Sequence, residues 1–225
     1  MILSKETVDI LKNFASINPG LSCKGNSTIS TISSARTVLA KAVLPEDFSQ
    51  KFAIYDLNEF LGCWSIFDND VDLEFKENHV EFKRNNVKLR YTYASENMIL
   101  QAPEKELKIP SADIEFQLSA EDHKIIMSMA KVINSPNIAI VSDGQKVMLR
   151  SFDSANDAAH ENTVELNIDP QGAAYSMVFK VENLMLLPGA YSVTISTQGI
   201  AHFKHMNHDL QYWIAVESSL SQFNQ

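Results

Sequence analysis

Three regularly spaced histidines are the residues of this chain best suited to metal chemistry. His202, His205 and His208 lie in the segment AHFKHMNHD, and imidazole is a common ligand of zinc and copper. The flanking segments YSVTIST and QYWIAVE alternate in a way that predicts strands, where side chains three residues apart point to opposite faces. We therefore expect solvated histidines near a hairpin, with a metal-binding enzyme as the alternative.

The other candidate sites for chemistry fit their motifs poorly. Four acidic residues between positions 68 and 74 resemble the start of a calcium loop, but Leu73 stands where the loop needs glycine and His79 where it needs glutamate. The chain has no Gly-x-Ser-x-Gly motif, and neither Cys23 nor Cys63 has a neighbouring histidine. Nothing here favours an enzyme, and no cofactor is expected.

Lysines on two related segments suggest a different kind of chemistry. LSKETVDILKNFASINPG at 3–20 and LSAEDHKIIMSMAKVINSP at 118–136 both begin Leu-Ser and end in Ile-Asn with a proline after it. Self-similarity at this separation predicts two copies of one domain. At 100° per residue each segment forms an amphipathic helix whose polar face carries two lysines seven residues apart, Lys5 with Lys12 and Lys124 with Lys131. Such a surface suits phosphate contact without base readout, although a plain solvated face is the simpler interpretation.

The opposite faces of these helices are predicted to be buried. In the first helix this face consists of Val8, Leu11, Phe14, Ala15 and Ile17. In the second helix it consists of Ile125, Ile126, Met129, Val132 and Ile133.

The rest of the chain reads mainly as strands with period two. Asp143-Gly144 marks a hairpin turn. A second short helix is predicted in each half, at 55–62 and 179–189, so the fold class is α+β. We assign residues 1–100 and 114–225 to two similar domains, with 101–113 as the connector because Pro103 and Pro110 interrupt regular structure there.

Charge limits the choice of partners. The 225 residues carry a net charge of −9, and an acidic surface repels phosphate unless its lysines are segregated. No apolar run is long enough to span a membrane, and the charged start MILSKETVDILKNF does not read as a signal peptide.

Several segments together resemble one known family. LSKETVDILKNFASINPG, YDLNEFLG, ILQAPEKELKIP, LPGAYSVTIS and YWIAVE are similar to the DNA polymerase processivity clamps of T4-like bacteriophages. The resemblance runs colinearly over essentially the whole chain, and residues 26–45 and 150–170 depart most from it.

This resemblance implies a clamp fold that closes as a homotrimeric ring around double-stranded DNA. It implies a tether for the DNA polymerase, an ATP-driven clamp loader, late-transcription factors of the phage as further partners, and action in the host cell cytoplasm. By position, the residues that would face DNA are Lys5, Lys12, Lys124, Lys131 and Lys180. The helix at 55–62 contributes no cation, since its charges are Asp56 and Glu59.

The resemblance also implies two protein-binding surfaces. A pocket for partner peptides would be formed by Leu107, Ile109, Pro188, Trp213 and Ala215, although Trp213 and Ala215 suit plain core packing equally well. From strand order, the subunit contact would join Leu89, Tyr91 and Tyr93 to Val164, Leu166 and Ile168. A phage structural protein is the remaining alternative to a clamp.

Overall fold

The chain forms two compact units, Met1–Glu106 and Leu107–Gln225, in a computed structural model that describes residues 1–67, 71–105, 107–170 and 172–224. In the described residues, no helix is long and apolar enough to cross a membrane. Asp68 and Asp70 of the calcium-like motif lie outside the described residues.

The first unit contains two helices, seven strands and a short 3-10 helix among its described residues. In chain order they are α1 Lys5–Ile17, β1 Leu21–Lys24, β2 Thr28–Ile32, β3 Val38–Val43, β4 Lys51–Ile54, α2 Leu57–Ser65, β5 Asp72–Phe75, β6 His79–Arg84, β7 Val87–Thr92 and the 3-10 helix η1 Glu96–Met98. Strand β1 pairs with β4 and β2 with β3, while β5, β6 and β7 form a three-stranded sheet, all antiparallel.

The second unit contains one α-helix, nine strands and a 3-10 helix among its described residues. They are β8 Ile114–Leu118, α3 Ala120–Val132, β9 Asn137–Asp143, β10 Val147–Phe152, β11 Asn162–Leu166, β12 Ala174–Lys180, the 3-10 helix η2 Val181–Leu184, β13 Tyr191–Ser196, β14 Ile200–His205, β15 Leu210–Ala215 and β16 Gln222–Asn224. Five strands form an antiparallel sheet in the order β11-β10-β9-β12-β16, and four pair in the order β15-β14-β13-β8.

The α+β class and the predicted hairpin are confirmed. Strands β9 and β10 flank Asp143-Gly144, and Gly144 has a φ of 85°, a backbone conformation that glycine adopts without steric cost. The Asp143 carboxylate accepts hydrogen bonds from the backbone N–H groups of Gln145 and Lys146, each 2.8 Å long, which fixes the turn.

The prediction of a second helix in the second unit is wrong. Residues 179 and 180 belong to β12, and only the four residues of η2 are helical. After η2, two tyrosine hydroxyls satisfy the backbone groups of Leu187. The hydroxyl of Tyr212 accepts a hydrogen bond from the Leu187 N–H at 3.2 Å, and the Tyr191 hydroxyl donates to the Leu187 carbonyl. These bonds hold the segment before Pro188 in a non-helical conformation that buries Leu187.

Each unit has its own aromatic core. In the first unit Phe60 of α2 packs against Phe82 and Tyr91, with ring centroids 5.3 and 5.7 Å apart. In the second unit Tyr191 and Phe203 are fully buried on neighbouring strands with centroids 6.3 Å apart. Each fully buried aromatic side chain stabilises its unit by about 1.5–3 kcal/mol relative to an exposed one.

Candidate nucleic-acid and protein-binding surfaces

Helices α1 and α3 begin with the same serine cap. The Ser4 hydroxyl accepts a hydrogen bond from the Thr7 N–H at 3.1 Å, and Ser119 accepts from the Asp122 N–H at 3.0 Å. A side-chain cap satisfies a backbone donor that the helix itself leaves unpaired and typically stabilises the helix by about 1 kcal/mol. The repeated Leu-Ser therefore fixes where both helices start.

The lysines on these helices are exposed. Lys5 and Lys12 of α1, and Lys124 and Lys131 of α3, all lie at the surface. Seven residues correspond to about 10.5 Å along a helix and nearly two full turns, so each pair projects in almost one direction. Lys180, at the end of β12, is exposed as well.

Acidic residues on the same two helices keep the positive electrostatic potential of the lysines weak. Within its bounds α1 holds Glu6 and Asp9 besides its two lysines, and α3 holds Glu121 and Asp122. Each helix is formally neutral, so the lysines are separate cations rather than parts of a strongly basic surface. Helix α2 has no cation; Asp56 caps it by accepting from the Asn58 N–H at 2.8 Å, and Glu59 is exposed.

The prediction of a fully buried apolar face on α3 is wrong in part. Val132 is 80% exposed and Ile125 is 38% exposed, whereas Ile126 is buried. His123 takes part in the buried face instead, because its ring packs against Tyr191 with centroids 5.9 Å apart. Helix α3 is therefore rotated relative to the orientation expected from its apolar residues alone.

The three histidines occupy different surroundings. His202 lies on β14, its Nε2–H donates a 2.9 Å hydrogen bond to Oε1 of Gln211, and its ring stacks on Trp213 with centroids 5.0 Å apart. The expectation of solvated rings is wrong for His205, which is 3% exposed. Its Nδ1 accepts 3.1 Å hydrogen bonds from the N–H groups of Asn207 and His208, which closes the turn between β14 and β15.

The residues of the chain suited to other chemistry are also engaged in structure. Within the described ranges, no group of three or more His, Cys, Asp or Glu residues could hold a metal ion. Burial raises the pKa of the Cys23 and Cys63 thiols, which keeps both protonated and poorly nucleophilic. Glu74 of the calcium-like motif binds the ammonium groups of Lys76 and Lys83, and these bonds lower its pKa to about 2.

The residues predicted for the peptide pocket lie within the second unit. Trp213 is 5% exposed and Ala215 is half-buried. Both side chains project from the same face of the sheet as His202 of β14. Leu107 and Ile109 are half-buried in the segment before β8. The carbonyl of Pro188 lies 3.5 Å from Nε2 of His205. The pocket itself stays a prediction.

The end of the predicted connector is attached to the second unit by hydrogen bonds. The Asp113 carboxylate accepts from the Thr197 N–H at 2.7 Å and from the Ser111 hydroxyl at 2.7 Å, and Ser111 also contacts the Ser196 hydroxyl at 2.7 Å. Donation by Ser111 and then by Thr197 lowers the pKa of Asp113. These bonds fix residues 111–113 beside the end of β13.

The strands predicted for subunit contact are edges of their sheets. Strand β7 is the last strand of the sheet β5-β6-β7, and β11 is the last strand of the five-stranded sheet. Leu89 and Tyr91 lie on β7, and Val164 and Leu166 lie on β11. Tyr93 and Ile168 follow these strands, and both are half-buried. An edge strand presents unpaired backbone groups that a second strand can bind.

Two features of these surfaces, one on α3 and one on β14, were not fully predictable from the sequence alone. The exposure of Ile125 and Val132 was not predicted, because an apolar residue in a helix looks the same in the sequence whether it faces the core or the solvent. Strand β14 was only partly predictable, since Ala201, Phe203 and His205 alternate correctly but the histidine resembles a surface residue. That alternation was the available signal for the burial of His205.

Known proteins match this chain in sequence and in fold. The family model described as DNA polymerase processivity factor matches residues 4–100. The sliding clamp of Vibrio phage KVP40 is 29% identical over 97% of this chain and 100% of its own length. The sliding clamp of Enterobacteria phage T4 is 27% identical over 97% of both chains.

Solved structures agree on the fold. PCNA from Thermococcus kodakaraensis has a TM-score of 0.68 at 17% identity, covering 95% of this chain and 96% of its own. Proliferating cellular nuclear antigen from Entamoeba histolytica has a TM-score of 0.66 at 14% identity, covering 94% of both chains. The chain thus has the clamp fold and is similar over nearly its whole length to the sliding clamps of Vibrio phage KVP40 and Enterobacteria phage T4.

Proposed function

We propose that the chain works as a DNA sliding clamp, in which three copies close into a ring around double-stranded DNA and tether the replicative DNA polymerase. The observation that supports this most directly is the duplication of a surface within a clamp fold. Helices α1 and α3 both bury one face and expose two lysines seven residues apart. A ring of three copies would place six such helices around the duplex.

The charge distribution suits a protein that slides. Net charge of −9 keeps the outside of the particle from binding DNA, while isolated lysines on otherwise neutral helices make few contacts to phosphate. Such contacts are sequence-independent and weaken with salt, so the ring can move along the duplex. Topology, rather than affinity, retains the protein on DNA. Lys5, Lys12, Lys124, Lys131 and Lys180 are the residues proposed to face the duplex.

The two sheet edges suit head-to-tail assembly. Strand β7 belongs to the first unit and β11 to the second, so a contact between them joins two different surfaces of neighbouring copies. Contacts between unlike surfaces generate closed rings when the rotation per subunit permits closure. The residues proposed for this contact are Leu89, Tyr91 and Tyr93 on one copy and Val164, Leu166 and Ile168 on the next.

Partner proteins are proposed to bind the second unit. Leu107, Ile109, Pro188, Trp213 and Ala215 would form an apolar pocket for the short tails of partners. Those partners are the DNA polymerase, an ATP-driven clamp loader and the late-transcription factors of the phage, all in the host cell cytoplasm. A single shared pocket would make these proteins compete for the clamp.

The test of the proposal is retention on circular DNA. The clamp is loaded on a nicked circle with its loader and ATP, free protein is removed, and the circle is then linearised. We expect the bound protein to persist on the intact circle and to leave the linear molecule by its free ends. A parallel sample with protein blocks at both ends should retain the clamp. Protein that stays on unblocked linear DNA binds by affinity, which would contradict the topological mechanism.

A further inference from the structure

His205 is a buried histidine whose two ring nitrogens make different hydrogen bonds. The side chain is 3% exposed, and its Nδ1 accepts 3.1 Å hydrogen bonds from the N–H groups of Asn207 and His208. Because the nitrogen that accepts in a neutral imidazole carries no proton, the ring proton lies on Nε2. Nε2 lies 3.5 Å from the carbonyl oxygen of Pro188 and donates to it. The geometry thus selects one neutral tautomer of His205.

The same ring supports the backbone of residues 188–190. A Cβ atom added to Gly189 would lie 2.0 Å from Nε2 and 2.9 Å from Cδ2 of His205, so the imidazole fills the space beside this glycine. The Met206 N–H donates a 2.9 Å hydrogen bond to the Ala190 carbonyl. This ring contact and this backbone hydrogen bond connect the turn after β14 to residues 188–190.

Pro188 lies between a fixed neighbour and the His205 contact. It is exposed and is one of the residues proposed for the pocket that binds partner tails. Leu187 before it is buried, and both its N–H and its carbonyl are hydrogen-bonded to tyrosine hydroxyls. Gly189 after it is held by the His205 ring. Loss of the ring contact would therefore release Pro188 on one side while Leu187 stays in place.

A second proton on the His205 ring is incompatible with this arrangement. It would have to lie on Nδ1, at which the N–H groups of Asn207 and His208 already point, so that three donors would meet without an acceptor. Either the ring would leave the turn or the turn would open. Both changes withdraw the contact with Gly189.

Aromatic groups that can titrate pack on and around this ring. Tyr191 of β13 contacts His205 with centroids 5.0 Å apart. Tyr212 of β15 and His123 of α3 pack on Tyr191 in turn, with centroids 6.2 and 5.9 Å away. Burial raises the pKa of both tyrosines, which keeps them neutral, and burial lowers the pKa of His123. Protonation of His205 would thus place a charge beside a neutral, buried aromatic cluster.

The turn itself adds a second imidazole. The ring of His208 lies with its centroid 4.6 Å from that of His205, so a proton on either ring disfavours a proton on the other. Lys204 and Asp209, the charged residues beside this turn in the chain, are both exposed. Residues 188–190 are Pro, Gly and Ala and bring no titratable side chain.

We propose that His205 is a positioning residue of the partner pocket, which holds Pro188 in place and does so only as the neutral ring with its proton on Nε2. His205 acts from behind the pocket, because it shares the buried face of β14 with Phe203, whereas His202 and Trp213 lie on the other face. Partner binding should therefore weaken on acidification. This inference rests on the proposed function and adds to it the residue that shapes the pocket and its response to pH.

The first test is His205→Asn, measured as binding of the replicative DNA polymerase of the same phage to the immobilised protein. Asparagine keeps an acceptor near the position of Nδ1 but lacks the part of the ring that contacts Gly189. We expect the dissociation constant to rise roughly tenfold at about pH 7.5 and to change less than in the original protein on lowering the pH to about 5.5. The matched control is His160→Asn, an exposed histidine of the same unit, which should bind like the original protein.

The second test adds Gly189→Ala to His205→Asn. The shorter asparagine leaves room for the new methyl group, which fills part of the space vacated by the ring and restricts the backbone beside Pro188. We expect Gly189→Ala to weaken polymerase binding in the original protein and to restore part of it in His205→Asn. Such a reversal of sign cannot arise from a general loss of folding.

Nitrogen NMR of the histidine rings gives a measurement that needs no variant. His205 should carry its proton on Nε2 at neutral pH, and the amide signals of Asn207 and His208 should shift at the pH where its Nδ1 becomes protonated. A folded protein with a proton on Nδ1 of His205 and unshifted amide signals would contradict the inference, even if His205→Asn failed to fold.

The outcomes separate the inference from the proposed function. If the polymerase binds the original protein and His205→Asn binds it with the same affinity and the same pH dependence, the inference is overturned and the proposed function stands. If the polymerase binds the original protein at no pH and the protein is not retained on circular DNA, the proposed function itself is overturned. Weak binding by His205→Asn with a flatter pH profile, together with recovery in the double variant, supports the inference.

Discussion

The ring of His205 occupies the space that a side chain at position 189 would need. A Cβ atom added to Gly189 would lie 2.0 Å from Nε2 of His205 and 2.7 Å from its Cε1. The histidine cannot easily move, because its Nδ1 holds the turn after β14 and its ring packs on Tyr191 with centroids 5.0 Å apart. The glycine of the segment LPGAYSV is thus required by close packing.

We therefore expect Gly189→Ala to destabilise the protein by about 1–3 kcal/mol through overpacking. The measurement is urea unfolding at one fixed protein concentration. Gly62→Ala is the matched control, because Gly62 lies inside helix α2 and its added Cβ has no atom within 4 Å apart from its chain neighbours and the nearby backbone of the helix itself. That substitution should stabilise the protein by about 0.5–1 kcal/mol. Equal effects at the two positions would contradict the packing argument.

His123 should make the stability of the protein depend on pH. Burial lowers the pKa of His123 from its ordinary value of 6.5, and the Leu184 carbonyl opposes this shift only in part. Below pH 6.5 the unfolded chain then binds more protons at this site than the folded chain. Stability from this group is fully present above pH 6.5 and is lost as the pH falls through the lowered pKa, by at most about 1.4 kcal/mol per pH unit.

The measurement is the free energy of unfolding at pH 7 and pH 5 for the original protein and for His123→Gln. Glutamine keeps an N–H donor for the Leu184 carbonyl but does not titrate in this range. We expect the decrease between pH 7 and pH 5 to be smaller in the variant. Identical decreases in both proteins would show that other groups account for the acid sensitivity.

At the scale of elements, local signals predicted the repeated helices and one hairpin well. Ser4 and Ser119, the serines of the repeated Leu-Ser, cap α1 and α3, and Gly144 has the positive φ that its turn requires. These features depend on residues adjacent in the chain. The exposure of Val132 depends instead on which surface of α3 packs on the sheet, and periodicity alone does not determine this.

The segment after β12 shows the limit of local prediction most clearly. FKVENLMLLPG has the composition of a helix, yet the Leu187 N–H finds its partner in Tyr212, 25 residues later in the chain. Competition from a distant hydroxyl is not visible in a local pattern. The tertiary contact therefore decides the conformation, and the helix is reduced to the four residues of η2.

Tyr212→Phe tests this account of the segment. Removing the hydroxyl leaves the buried Leu187 N–H without its acceptor, and we expect a loss of about 1–3 kcal/mol in the free energy of unfolding. Tyr55→Phe is the control, because Tyr55 is 60% exposed and its change should stay within about 0.5 kcal/mol. Unchanged stability in Tyr212→Phe would mean that water or another group replaces the hydroxyl without cost.

At the scale of the whole molecule, the net charge disfavours binding to DNA, whereas the local placement of lysines favours it. A chain with net charge −9 would avoid DNA if its charges were spread evenly. Placement of lysines on one face of both repeated helices allows contact with phosphate within an acidic particle. The sequence was sufficient to find this placement, because helix periodicity alone puts Lys5 with Lys12 and Lys124 with Lys131 on polar faces. Which strands lie at the edges of their sheets depends instead on pairing between distant segments, which the fold shows.

Reversing one lysine on each repeated helix tests whether these faces touch DNA. The double variant Lys12→Glu with Lys131→Glu removes two cations and adds two anions on exposed helix faces, so we expect trimers of normal mass but reduced loading and shorter processive synthesis. The matched control, Lys51→Glu with Lys105→Glu, makes the same charge change at exposed positions outside both helices. Both variants are compared by sedimentation and by primer extension at several salt concentrations. Normal synthesis by the helix variant would mean that these lysines only face solvent and do not contact DNA. Equal defects in both variants would indicate a response to net charge alone.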